Sequence, residues 1–224
     1  MASQKSSAST TATVVTRAAT GAVAPKRERG RSRVAAILEA GAEVFAEKGY
    51  GGATMTEIAA RSKTAIGSLY RFFPTKEALA DALLTRYGDL MTERLAAIEA
   101  RASGLSPSQL ADVLVDFMLD MSADRAIALP LIEVTQEAEE KRAHIRGAIR
   151  RGLASILTVL DTGITQAEAE GLAVMLLYLL KAVPQLACNG SEVDEPLIAR
   201  IRALVSLYLV NELPHAQRLA NDAS

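Results

Sequence analysis

The residues able to do covalent or metal chemistry are few and scattered. Cys188, His144 and His215 are the whole stock of thiol and imidazole in 224 residues. One cysteine excludes a disulfide framework and a multi-cysteine metal site, and two histidines leave little for a metal or a catalytic triad. Cys188 has no basic neighbour in sequence to depress its pKa and reads as an inert thiol. His144 sits among Lys141, Arg142 and Arg146 and reads as solvent-exposed. No acid–base pair, nucleophile with a base, metal-ligand cluster or cofactor motif is visible, so the expectation is a non-enzyme without cofactor or metal. What the chain does offer is charge. Residues 1–76 hold 12 basic and 5 acidic side chains, and residues 77–224 hold 13 basic and 21 acidic. The net charge of −1 therefore conceals a basic N-terminal third, a distribution suited to a polyanion.

Within that basic third, residues 54–79 read TMTEIAARSKTAIGSLYRFFPTKEAL. The segment predicts a short helix, a tight turn, a second short helix and the capped start of a third. Thr54 and Glu57 have capping-box spacing, and Thr75 is placed to cap the last of these helices. Ile58, Ala59, Ile66, Leu69 and Phe72 or Phe73 can lock the short helices together. Ala59 is small enough for close approach. Such packing makes the second helix one rigid body able to enter a DNA major groove, as a helix-turn-helix requires.

The elements that must hold this unit are also helical. Val34, Ile37, Leu38, Gly41, Ala42 and Phe45 form one apolar stripe, ended by Gly49, Gly51 and Gly52. Leu79, Leu83, Leu84, Tyr87, Leu90, Met91 and Leu95 mark a long helix or a bent pair. Ser106-Pro107 opens another helix. Pro130 interrupts the segment 127–134. Further helices are expected at 136–160, 165–188 and 194–212, with Pro214 as a stop. Period-two alternation is absent. The fold class is all-α with about nine helices.

The expected division is a flexible basic tail at 1–27, a helix-turn-helix domain at 28–80, a second domain at 81–214 and a C-terminal tail at 215–224. Residues 1–27 contain 16 Ala, Ser and Thr, four basic residues and no acid. An organelle transit peptide shares that composition. A plain arm is preferred because basic residues are sparse before Lys26. No apolar run reaches membrane-spanning length and no signal-peptide core precedes it, so the expectation is a cytoplasmic protein with no membrane partner.

As a combined pattern, the segment resembles the tetracycline-repressor-type (TetR) transcriptional regulators. The resemblance is carried by Thr54, Ile58-Ala59, Gly67-Ser68-Leu69-Tyr70, Phe73 and Lys76-Glu77-Ala78-Leu79. Phe45, Gly49 and Tyr50 extend it backward, with Gly41 where the pattern begins with Ala. It covers residues 32–84; the remainder is similar only in length and helical character. The resemblance implies a three-helix DNA-binding head, a C-terminal ligand-binding and dimerisation bundle, and a ligand-responsive homodimeric repressor. Its partners would be double-stranded DNA with a (pseudo)palindromic operator and a small-molecule effector. A helical binding or scaffold protein that keeps the fold without operator binding is the alternative.

The resemblance, with the chemistry of the side chains, also assigns roles. Thr54 would offer its hydroxyl and helix N–H groups to a phosphate. Ala65, Ile66, Gly67 and Ser68 would face the groove, with Ile66 against thymine methyls. Tyr70 and Lys76 resemble the family's phosphate clamps, and Thr75, the cap before Lys76, is expected at the DNA with them. Arg71 reaches either a base or a phosphate. Arg31 and Arg33, with Lys26, Arg27 and Arg29, would enter an adjacent minor groove or serve as a solubilising arm. One departure matters. Where the family's turn carries Ala-Gly-Val-Ser, this chain has Ser62-Lys63-Thr64-Ala65. Either Lys63 accepts a left-handed conformation or the turn is reshaped. Ala65 lacks a capping oxygen, which Thr64 could supply. Lys63 adds charge near the DNA surface.

In the acidic remainder, Leu172, Leu176, Leu179, Ile201, Leu204, Val205 and Tyr208 are expected to meet a partner surface as a four-helix dimer interface, or to form internal core. A ligand pocket would draw on Phe117, Met118, Met121, Leu131, Met175 and Tyr178, with Lys181 and Gln185 orienting a polar group. Core packing is the competing reading for the same residues.

Overall fold

A computed structural model of the chain describes residues 26–134, 138–161, 163–187 and 194–213. Of the tail expected at 1–27, residues 1–25 lie outside the described residues, as do the tail expected at 215–224, Cys188 and the side chains of Lys26 and Arg27, while the backbone of Lys26 and Arg27 already belongs to the first helix and not to an arm. Among the described residues ten helices follow one another: α1 (Lys26–Gly52), α2 (Met55–Arg61), α3 (Ile66–Phe72), α4 (Lys76–Ala102), α5 (Pro107–Asp120), α6 (Ser122–Val134), α7 (Ala138–Leu160), α8 (Gln166–Leu180), α9 (Ala182–Ala187) and α10 (Glu195–Glu212). The described residues contain no strand. The all-α expectation holds.

The head is built on α1 and the start of α4. Of the predicted stripe along α1, Ile37, Gly41 and Phe45 are buried and Val34, Leu38 and Ala42 half-buried, while Ala40 and Val44, outside that stripe, are buried too. Gly41 faces α4 so closely that a Cβ there would stand 3.1 Å from Leu79 Cδ2. That contact explains glycine where the family pattern has alanine. Gly49 then adopts φ 69°, which L-residues rarely accept, and the regular helix ends there. Between α1 and α4, the short α2 and α3 pack on the same core through Ile58, Ala59, Leu69 and Phe73.

α4 is one uninterrupted helix, not a bent pair. It crosses position 80, so head and bundle share it. Its inner face carries Leu79, Leu83, Leu84, Tyr87, Met91, Leu95 and Ile98, all buried. α7 lies along this helix with little clearance: a Cβ at Gly152 would stand 2.9 Å from Leu95 Cδ1. α8 packs on α7, and α10 on α5. Arg202 pins the latter pair, donating to Asp112 O at 3.0 Å and Asp116 Oδ1 at 2.8 Å.

Two helix boundaries differ from the sequence expectation. Pro130 does not interrupt α6, which runs from Ser122 to Val134. A proline frees the carbonyl four residues earlier, here that of Ala126. Ala126 and Pro130 are both exposed, so water can take the freed carbonyl. The segment 165–188, expected as one helix, ends its first part at Leu180 with Lys181 as C-cap. Pro184 cannot donate to the Leu180 carbonyl, which accounts for the break into α8 and α9. The capping boxes at Thr54–Glu57 and Thr165–Glu168 are both formed.

Candidate nucleic-acid interface

The α2–turn–α3 unit begins at a tight cap. Glu57 N donates to Thr54 Oγ1 at 3.3 Å, and Thr54 N donates to Glu57 Oε2 at 3.2 Å. The Thr54 hydroxyl also donates to Glu57 Oε2 at 3.0 Å. These bonds, with the ammonium of Lys48, hold the Glu57 carboxyl below the usual carboxylate range, the Lys48 contact being the larger cause. At the other end of α2, Arg61 grips Glu47 of α1 with a two-pronged contact at 2.5 and 2.8 Å. The short α2 is thus tied to α1 at both ends. Its apolar face alone, Met55, Ile58 and Ala59, is small.

The turn settles the alternative posed by Lys63. Its φ is 51°, making it the one non-glycine residue with positive φ among the described residues. Lys63 N donates to Ala60 O at 3.2 Å and Thr64 N to Ala59 O at 2.9 Å. With Ser62 as C-cap, this is the paired bonding of a Schellman motif, and Lys63 occupies the left-handed position usually held by glycine. The turn keeps its geometry and Lys63 bears the strain. The expected cap from Thr64 does not form. Its hydroxyl donates back to Ser62 O at 3.3 Å, and Ala65 starts α3 without a side-chain cap.

α3 is anchored by fully buried Leu69, with Phe72 half-buried and Phe73 buried behind it. Ala65, Gly67 and Arg71 are exposed, as are Ile66 at 42% and Tyr70 at 47%. An isoleucine and a tyrosine this open on a seven-residue helix are not part of the core. A Cβ at Gly67 would meet nothing within 4 Å, so the face is unobstructed. Arg71 lies 5.2 Å from the centroid of the Phe72 ring, which orients its guanidinium.

Two residues expected at this face are placed differently. Ser68 does not present its hydroxyl to a groove: Oγ is buried and has no hydrogen-bond partner. Its position one residue before Leu69 turns it toward the packed side. Lys76 points inward across the end of α1. Its ammonium donates to Tyr50 O at 2.6 Å and Ala53 O at 3.0 Å, and lies 4.4 Å from the Tyr50 ring centroid. Tyr50 in turn stacks on Phe45 at 5.6 Å. Lys76 therefore closes the carbonyls left open by the break at Gly49, keeping one of its three donors. Thr75 caps α4, its Oγ1 accepting from Ala78 N at 3.0 Å. The role of Tyr50 as the platform for Lys76 was not anticipated; no local spacing links positions 26 residues apart.

The expected ligand pocket does not assemble. Phe117, Met118, Met121 and Leu131 are buried in the core, whereas Met175 is 52% and Tyr178 63% exposed. α8 directs Ala169, Ala173, Leu176 and Leu180 inward, which puts Met175 and Tyr178 on the outer surface. Lys181 sits 4.6 Å over the Tyr178 ring. Partial burial, then Arg146 and Arg125, hold its ammonium below the usual lysine range. Gln185 is exposed. A cleft of about 380 Å³ lies instead on the α4–α7 seam, with Leu84, Gly88, Ile145 and Ala148 in its lining and Asp89 and His144 also present. Of the residues expected at an interface, Leu176 and Val205 are buried, Leu172, Leu179, Ile201 and Tyr208 half-buried, and Leu204 exposed. The exposed apolar set also includes Val174 and Leu207, which sequence reading omitted although Leu207 follows Leu204 at helical spacing.

Comparison with known proteins agrees with this geometry. Residues 37–83 match the family profile described as bacterial regulatory proteins, tetR family. The HTH-type transcriptional repressor Rv3405c of Mycobacterium tuberculosis is 42% identical over 71 residues, which are 31% of this chain and 38% of that protein. The HTH-type transcriptional regulator YuxN of Bacillus subtilis is 26% identical over 155 residues, 67% of this chain and 52% of that protein. The matches thus span less than two thirds of either relative. Among solved structures, Salmonella enterica GusR aligns with a TM-score of 0.62 at 21% identity, covering 85% of this chain and 98% of that one. A TetR-family transcriptional regulator from Streptomyces coelicolor aligns with a TM-score of 0.55 at 23% identity, covering 81% and 99%. The matched profile lies on α1–α4, so this part of the chain matches the tetR family of bacterial regulatory proteins, and the likeness to the solved structures extends the shared fold through the bundle.

Proposed function

We propose that this chain is a homodimeric, ligand-responsive transcriptional repressor that binds a (pseudo)palindromic operator by placing α3 in the major groove. The observation that carries the reading is the face of α3: Ile66, Gly67, Tyr70 and Arg71 exposed on a short helix whose opposite side is locked by Leu69. A rigid, unobstructed helix can enter a groove about 12 Å wide. Tyr70 and Arg71 are the polar groups that would meet phosphates or base edges, and Ile66 the apolar one. The name of the mycobacterial relative supports repression.

A second copy would cover the outer faces of α8 and α10, where Val174, Met175, Tyr178, Leu204 and Leu207 are exposed. Residues 28–80 then act as the reading head and 81–214 as the bundle that binds a small-molecule effector. α4 physically joins them. An effector shifts DNA binding only if its affinity differs between the two states of the bundle. No helix among the described residues is long and apolar enough to cross a membrane. A cytoplasmic location is part of the proposal.

The test is a protection footprint on the DNA upstream of the chain's own gene, with sedimentation of the free protein. Expected is a protected region with two-fold symmetry, half-sites about 34–36 Å apart, and a particle of two chains. Binding that ignores sequence and leaves no footprint would instead establish the scaffold reading.

A further inference from the structure

We infer that Lys63 and Arg33 form a phosphate seat beside the reading helix, in the cleft between the first turns of α1 and the α2–α3 turn. The inference rests on the DNA-binding reading above and names a contact that the reading does not supply.

The cleft has a volume of about 520 Å³; Arg29, Ser32 and Arg33 line it from α1, and Ser62, Lys63 and Thr64 from the turn. Glu28 is the single acid in the lining, against three cations. The hydroxyls of Ser62 and Thr64 are turned to the carbonyls of Ala59 and Ser62. What the cleft presents is therefore positive charge with little hydrogen-bond pattern. That chemistry suits a phosphodiester, which carries charge and no sequence, better than a base edge.

Three of the other cations of the head are held in internal contacts, while Arg71 stays exposed on the α3 face and Arg31 on α1. Lys48 pairs with Glu57, Arg61 with Glu47 and Glu43, Lys76 with two carbonyls, and Arg71 stacks on Phe72. Arg33 and Lys63 are exposed and make no ion pair with the described residues. Both are open to a polyanion beside the head.

Helix geometry brings the pair together. α1 is already helical from Lys26, so Arg33 belongs to a rigid helix and not to an extended arm entering a minor groove. Arg29 and Arg33 are four residues apart and share the face that looks at the turn, while Arg31 lies on another face. Lys63 arrives from the opposite wall because the Schellman turn holds it at φ 51°. Glycine would fill that backbone position without strain. Lysine there is strained and adds a cation at the mouth of the cleft.

The test uses the full chain with Lys63→Gly, Arg33→Ala and the double variant. Affinity is measured by fluorescence anisotropy against two duplexes, one of mixed sequence and one carrying the DNA upstream of its own gene, over a salt series. Wild type is expected to bind both. Each single variant should flatten the log–log salt slope and weaken both duplexes, and the double variant should flatten it by about 0.9, the loss of one phosphate contact, and weaken both by roughly eightfold near 0.1 M salt. Lys63→Gly should not lower the melting midpoint. Lys63→Asn, which also tolerates the left-handed region, repeats the measurement should glycine loosen the turn. Wild-type binding with unchanged slope and affinity in the variants overturns the seat and leaves the repressor reading intact. An Arg33→Ala variant that changes A·T preference without changing the slope also overturns it, placing Arg33 in a minor groove. Wild type that binds neither duplex overturns seat and repressor together.

Discussion

Replacing Lys76 with methionine separates two tasks that one side chain can perform. The family resemblance makes Lys76 a phosphate clamp, while its ammonium here donates to Tyr50 O at 2.6 Å and Ala53 O at 3.0 Å above the Tyr50 ring. Methionine keeps most of the stem and removes the charge. A hydrogen bond from a charged group contributes roughly 1.5–3 kcal/mol when buried, and a cation–π contact about 0.5–1 kcal/mol at an exposed site. Lys76 is half-buried, and water can partly replace it at both carbonyls, so the low end applies. The expected loss is about 2 kcal/mol, or roughly 4–8 °C in melting midpoint for a chain of this size. The assay is equilibrium urea unfolding followed by circular dichroism, with amide exchange at Ala53 as the local readout, since Ala53 N closes back on Gly49 O at 3.2 Å. Exchange there should accelerate in the variant. DNA affinity should also fall, because the loop before Thr54 is released and the third donor is gone. Unchanged stability and exchange alongside weakened binding would refute the structural role and leave Lys76 as a clamp alone.

Further outcomes follow from packing and charge. Gly152→Ala should destabilise by about 1 kcal/mol, since its Cβ would stand 2.9 Å from Leu95 Cδ1 and 3.1 Å from Leu95 Cβ; overpacking of roughly 1–3 kcal/mol outweighs a propensity gain of about 1 kcal/mol. Gly147→Ala, in the same helix, meets only Arg151 Nη1 at 3.2 Å, the end of a flexible side chain, and should stabilise by roughly 0.5–1 kcal/mol; urea midpoints of the two variants decide both. Hydrogen bonds from Arg61 and from Lys48 hold the Glu47 and Glu57 carboxyls low, so their support of α2 is complete above the unfolded glutamate pKa of about 4.3 and is lost as pH falls through the lower folded values. Amide exchange in α2 should therefore accelerate on acidification at low salt and less so at high salt, and a flat profile at low salt would contradict the ion-pair account. Tyr178→Glu with Leu207→Glu should yield single chains by sedimentation velocity at unchanged helicity; a particle that stays at two chains removes this face as the interface.

The sequence made the head legible because its signals are local. Thr54–Glu57 and Thr165–Glu168 are pairs three residues apart, and each formed the cap that its spacing implies. The stripe on α1 needed only the helical period. Even the departure at Lys63 stated its own two outcomes, and the backbone chose the left-handed one. The bundle was less legible because each apolar helix has more than one apolar side. On α8, Leu176 and Leu180 are core while Met175 and Tyr178 face outward, and hydrophobicity alone does not distinguish them. Hence a pocket drawn from Met118, Met121, Met175 and Tyr178 mixes residues from inside and outside. Prolines misled in both directions. Pro130 is tolerated because its helix face is wet, and Pro184 ends a helix that composition would have continued.

Charge gives the sharpest contrast between a sequence sum and a structure. The basic excess of residues 1–76 suggested polyanion binding through many cations. In the folded head, Lys48, Arg61 and Lys76 are instead internal fasteners, holding α2 to α1 and the start of α4 to the end of α1. These fasteners are needed because α2 and α3 have seven residues each, too short to stand without tertiary support. The phosphate-facing charge then falls to cations with no internal duty, among them Arg71 on α3 and, at the rim, Arg33 from α1 and Lys63 from the turn. A salt slope measured on the wild type should therefore be much shallower than the basic residue count implies. A slope matching one phosphate for every basic residue of the head would mean that the fasteners open on DNA, and that the rigid-body view of α3 is wrong.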